Sequence, residues 1–182
     1  MSKKVLLLHG WGGSDYPHWQ SWLAGELAKE YGCVNFLAFS NFDTPSLTTW
    51  KSELLVALEE FKPDIVICHS LANTLWFHLC NTKELQTVQN LYLIAPPSLS
   101  CEIEELKEFF PVNTPKNLYA KEALLVGSTN DPYMTTEETY ELQKNLKIEL
   151  KLLENAGHIN ANSGFGEWPW ILSELKSKVF TP

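Results

Sequence analysis

Short runs rich in apolar residues recur along the chain at 5–8, 34–38, 65–68, 91–95, 123–127 and 148–153. Runs of this length, apolar without strict alternation, predict strands covered on both faces. The segments between them carry helical spacing. Leu47, Trp50, Leu54, Leu55 and Leu58 fall on one stripe of a helix predicted over 47–61, and Pro63 closes it. Further helices are predicted at 19–31, 71–79, 136–146 and 170–180. Strands alternating with helices indicate an α/β fold with a mainly parallel central sheet covered on both faces, because parallel neighbours need crossovers of helical length.

No repeat, low-complexity tract or linker interrupts this alternation, so residues 1–182 are expected to form one domain. The irregular stretch is 96–119, where Pro96, Pro97, Pro111 and Pro115 surround a predicted acidic helix over 102–110. It is a candidate small lid over a pocket.

Composition narrows the function classes. The chain is 45% apolar and 20% charged, as expected of a globular protein able to bury a core. Its formal charge of -8 disfavours phosphate backbones and anionic lipid, so neither nucleic acid nor a membrane surface is an expected partner. The apolar run after Lys3 and Lys4 stops at His9-Gly10, too short for a signal peptide or a span. Cys33, Cys68, Cys80 and Cys101 are scattered without the C-x-x-C spacing of a zinc or redox site, which points to reduced thiols and a cytoplasmic location.

In parallel sheets, chemistry gathers beyond the carboxyl ends of the strands. Ser70 stands there, between the strand ending at Cys68 and the helix opening at Leu71 and Ala72, where a nucleophile elbow would present its hydroxyl. Cys68-His69-Ser70-Leu71-Ala72 keeps the spacing of G-x-S-x-G with small residues in place of both glycines. Taken alone, such a serine reads as an ordinary helix N-cap. Asp131 lies in the loop after the strand at 123–127, where Asn130-Asp131-Pro132 also reads as a turn into a helix. His158 follows the last strand, and alone would be a solvated loop residue.

The order Ser70, Asp131, His158, each beyond a successive strand, is that of α/β-hydrolase triads and differs from the chymotrypsin and subtilisin orders. His158 would take the proton of Ser70 during attack, and Asp131 would hold the imidazole's tautomer. A tetrahedral intermediate needs backbone donors, and the N–H groups of Leu71 and Trp11 are the candidates for this oxyanion hole. The Gly10-Trp11-Gly12-Gly13 turn has neither the ending of a P-loop nor the G-x-G-x-x-G spacing. Cys68 as the nucleophile of a cysteine hydrolase ranks last, since a residue two positions before the apex points away from the site. His69 and His78 read as packing or surface residues, and His9 and His18 as shaping the oxyanion loop.

The sequence resembles the family of small serine hydrolases that includes retinoblastoma-binding protein 9 and the bacterial YdeN-like proteins. Four segments carry the likeness: 9–13 with 18–22, 69–71, 130–133, and 157–160 leading into 164–169. The resemblance implies a reduced α/β-hydrolase sheet with Ser70 as nucleophile, Asp131 as acid and His158 as base. It implies no metal and no organic cofactor. The pocket-protein partner in that family's name is not carried over, because no L-x-C-x-E motif is present: Cys101 is followed by Glu102 and Ile103. The expected activity is hydrolysis of a small carboxylic ester, carboxylesterase-like, or of an amide or peptide bond, with a small-molecule acyl substrate. The alternative is a noncatalytic protein- or ligand-binding member of the fold.

Overall fold

The computed structural model describes residues 3–30 and 32–179. Six strands, β1 (Lys4–Leu8), β2 (Cys33–Leu37), β3 (Ile65–His69), β4 (Val88–Ile94), β5 (Ala120–Ser128) and β6 (Glu149–Leu153), form one sheet. Its order is β2-β1-β3-β4-β5-β6, and every pairing is parallel. The helices are α1 (Trp19–Lys29), α2 (Leu47–Phe61), α3 (Leu71–Thr82), α4 (Thr136–Leu146) and α5 (Pro169–Val179). Tyr31 and Phe180, expected to end the first and last helices, lie outside the described residues.

The continuous apolar strands are explained by two cores. One face of the sheet packs Leu6, Leu8, Val66 and Leu93 against α2 and α3 through Trp50, Leu54, Leu75 and Trp76. The other packs Val5, Leu7, Ile65 and Ile67 against α1 and α5 through Trp19, Leu23, Ile171 and Leu175. Val5 to Leu8 and Ile65 to Cys68 are wholly buried, so the central strands have no polar side to turn outward.

Strand β2 lies outside β1 and the chain then crosses to β3, so the strand order reverses between β1 and β3. Ligands of doubly wound sheets bind in the crevice at such a reversal. The register pairs Leu8 with Cys68, which sets the turns after β1 and β3 side by side.

The stretch 96–119 departs from the expected acidic helix. Only Glu104–Leu106 forms a 3-10 turn. Leu106, Phe109 and Val112 point into the core, while Glu108 turns back to accept the Leu47 N–H at 3.0 Å. That carboxylate supplies the start of α2 with the cap that the Ser46 side chain does not. Burial at three spaced positions and a long-range cap fix the path more strongly than local helix propensity does. Among the described residues, no helix is long and apolar enough to cross a membrane.

Candidate active site

Ser70 occupies the N-cap position of α3, yet its hydroxyl caps nothing. Its backbone has φ 54° and ψ -124°, a conformation that side-chain-bearing residues avoid and that costs about 1–3 kcal/mol. The strain is held by neighbours. The Ser70 N–H donates to Ile94 O at 3.0 Å, and its carbonyl accepts both the backbone N–H of Asn73 at 3.0 Å and the Asn73 side-chain amide at 2.8 Å. Cys68 and Ala72 are fully buried on either side, the small residues that the tight turn requires. Gly10 faces the serine closely: a Cβ there would stand 2.7 Å from Ser70 Cβ.

The hydroxyl turns instead to His158, whose Nε2 is 2.8 Å from Ser70 Oγ. On the far side of the ring, Nδ1 lies 3.0 Å from Asp131 Oδ1 and 2.9 Å from Oδ2. A carboxylate can only accept, so Nδ1 carries the proton and donates it, leaving the Nε2 lone pair toward the serine. The Asp131 side chain is 3% exposed, and a carboxylate so buried requires donors. The Tyr133 N–H supplies a second one at 2.9 Å. The turn into a helix and the partner of an imidazole are thus the same aspartate. Sequence reasoning placed these three residues separately at strand ends, and the fold joins them.

The loop bearing His158 is pinned by groups that the sequence pattern does not single out. Asn130 Oδ1 accepts the Gly157 N–H at 2.7 Å, and Ser163 Oγ accepts the His158 N–H at 3.1 Å. His69 is buried beneath and donates from Nε2 to the His158 carbonyl at 3.1 Å. Burial pushes the His69 imidazole well below its ordinary pKa, and the facing His18 and His158 push it the same way. His18 falls to about 4, first through burial and then through His158 and His9. Asn130 was visible only as part of a short motif, and Ser163 left no signal in the pattern.

Trp11 and Leu71 line the same small cavity as Ser70 and His158. The peptide units carrying their N–H groups are both fixed through the preceding carbonyl. Gly10 O accepts from the Gly13 N–H at 3.3 Å and from His9 Nδ1–H at 2.7 Å. The His9 tautomer follows from the Phe39 N–H, which donates to Nε2 at 2.9 Å. In a trans peptide the N–H points opposite to the C=O, so the tethered Gly10 and Ser70 carbonyls fix the directions of the Trp11 and Leu71 N–H groups.

The cavity measures about 100 Å³. Leu71, Pro97, Ile103 and Leu106 give it apolar walls, and Trp11 and Tyr133 stand partly exposed at its mouth. A larger hollow of about 850 Å³ lies at the amino-terminal edge of β4 to β6 and is lined by none of Ser70, Asp131 and His158. Cys68 is fully buried, and burial raises its thiol well above the ordinary range, so it neither faces the cavity nor ionises readily. His78 is a packing residue that donates from Nε2 to Phe109 O at 2.9 Å. Among the described residues, no three His, Cys, Asp or Glu side chains are grouped to hold a metal ion.

A parallel sheet with a strained serine turn after a central strand, and with an acid and a histidine after the two strands at one side, defines the α/β-hydrolase fold. The sequence model of the serine hydrolase family matches residues 5–177, and the chain belongs to that family. None of the curated proteins matches its sequence. The structure is similar to the ydeN gene product of B. subtilis, with a TM-score of 0.83 and 20% identity over 97% of this chain and 98% of that one. A YdeN-like hydrolase of Pectobacterium atrosepticum aligns at 0.74 and 24% identity, over 98% and 92% of the two chains. The esterase domain of a Rhodothermus marinus protein aligns at 0.67 and 14%, over 97% and 85%.

Proposed function

We propose that this protein is a serine hydrolase that cleaves a small carboxylic ester through an acyl-enzyme, with Ser70, His158 and Asp131 as its triad. The observation that carries this reading is the continuous chain from Ser70 Oγ through both ring nitrogens of His158 to Asp131, with every contact at 3.0 Å or less. The named esterase among the structural relatives gives the ester preference its support. Amides are the slower substrates on this reading, because an amine leaves less readily than an alcohol.

Ser70 Oγ attacks the substrate carbonyl carbon while its proton passes to His158 Nε2. Asp131 stabilises the imidazolium so formed and does not itself take the proton. The carbonyl oxygen, now an anion, receives the Leu71 and Trp11 N–H groups, which cost no reorganisation because their peptides are already tethered. His158 returns the proton to the departing alkoxide as the carbon–oxygen bond breaks. A water molecule then attacks the acyl-serine, gives its proton to His158 Nε2, and the carboxylic acid leaves as Ser70 regains its hydrogen. The four cysteines are free, which suits a reducing cytoplasm.

A fluorophosphonate probe tests the reading. Stoichiometric labelling of the wild type is expected, with loss of labelling in Ser70→Ala and in His158→Ala. A folded wild-type protein that takes up no label would overturn the hydrolase and favour a noncatalytic binding role.

A further inference from the structure

The dimensions and lining of the cavity beside Ser70 bear on the substrate. At about 100 Å³ it is smaller than a cavity of about 150 Å³ that admits benzene, and far below the 300–1,000 Å³ typical of drug-sized ligands. A space of that size walled by Ile103 and Leu106 suits an acyl chain of a few carbons and not a long one. Its walls away from the reacting groups are Leu71, Pro97, Cys101, Ile103 and Leu106, with Asn160, whose Oδ1 already accepts from Ser163, as the polar member, and among the described residues no Lys, Arg, Asp or Glu lines it.

The wall contributed by 96–119 is tied down on several sides. Ser98 Oγ donates to Glu138 of α4 at 2.6 Å. His78 of α3 reaches Phe109 O, Asn81 Nδ2 of the same helix donates to Asn113 O at 2.8 Å, and Glu108 holds the start of α2. Leu106 is anchored in the core shared by α2 and α3. Enlarging the cavity therefore means breaking contacts to three helices, so the volume is a property of the folded chain.

We propose that this cavity receives the acyl chain, and that the substrate's acyl group is short, aliphatic and uncharged, from acetyl to about butanoyl, with Ile103 and Leu106 setting the limit. This rests on the hydrolase reading of the same site. The leaving group lies outward, past Trp11 and Tyr133. An acyl group bearing an α-ammonium is disfavoured, because no carboxylate lines the cavity to pair with it and Asp131 is committed to His158.

The test is a series of p-nitrophenyl acetate, butanoate, hexanoate and octanoate, with the 2-aminobutanoate ester alongside. In the wild type, kcat/KM is expected to rise about fourfold per methylene up to butanoate, the factor for burying one methylene. It should then fall at least tenfold by octanoate, and 2-aminobutanoate should be at least tenfold worse than butanoate. Leu106→Ala should move the optimum to hexanoate; Ile103→Ala, at a half-buried position that the core needs less, should move it the same way should Leu106→Ala fail to fold. Octanoate turned over as well as butanoate, or an unmoved optimum in a folded variant, overturns the proposal. If fluorophosphonate still labels Ser70 in that case, the cavity assignment alone has failed. A wild type that neither takes the label nor turns over any ester overturns the hydrolase reading and this one together.

Discussion

Asn73 holds the turn that presents the proposed nucleophile Ser70. Its amide side chain bridges Ser70 O at 2.8 Å and Ile94 O at 2.9 Å, and its own N–H reaches Ser70 O as well. Those bonds aim the Leu71 N–H. Removing an oxyanion donor outright costs about a hundredfold to a thousandfold in kcat, so loosening its orientation in Asn73→Ala should cost about tenfold to a hundredfold. KM should stay within about twofold, since the ground-state carbonyl depends little on the donor. Steady-state kinetics on a short ester checks this, and a loss confined to KM would point to a packing role. Ser70, Asp131 and His158 were legible in the sequence because each closes a strand, where a chemically capable side chain stands out against apolar neighbours. His9 was legible as shaping the loop after β1, and it holds the Gly10 carbonyl there; Asn73 was not legible as a positioning residue, because its work is to bond backbone carbonyls that only the folded turn brings within reach.

Element by element, agreement is best where a helix carries its own apolar stripe or its own end signals. The helices at Leu47–Phe61 and Thr136–Leu146 lie where the pattern put them. The first has an apolar stripe ended by Pro63, and the second a capping box in which Thr135 and Glu138 satisfy each other's backbone N–H groups. Strands β4 and β5 begin three residues earlier than their apolar runs, at Val88 and Ala120. Their opening residues include Gln89, Asn90, Lys121 and Glu122, polar side chains at the rim of the sheet, where Asn90 Nδ2 donates to Glu122 at 2.9 Å. A pattern that searches for apolar residues stops short of such strand ends. The 96–119 segment is the opposite failure. Its acidic residues suggested a surface helix, but its path is set by side chains buried in cores built from α2 and α3, far away in sequence.

At the scale of the whole molecule, the buried histidines make stability depend on pH. Burial is the first cause lowering the pKa values of His9, His18, His69 and His78. For His18 the folded value is about 4 against 6.5 for a freely solvated imidazole, so between those values the unfolded chain binds more protons. Stability is therefore full above about pH 7 and is lost as pH falls through 6.5 toward 4. His18 alone should contribute a loss of about 2 kcal/mol at about pH 5, with His69 and His9 adding in the same direction. Urea midpoints at about pH 8 and about pH 5 measure the loss, and His18→Gln should shrink it; a midpoint that does not move between the two would contradict it. The positive φ of Ser70 has a further thermodynamic consequence. Glycine adopts that conformation freely, at the cost of a more disordered unfolded chain. Ser70→Gly should be inert toward esters and yet melt about 2–4 °C higher than the wild type, a gain of about 1 kcal/mol. In scanning calorimetry the living enzyme would then be the less durable of the two, with reactivity and thermal endurance traded at a single residue.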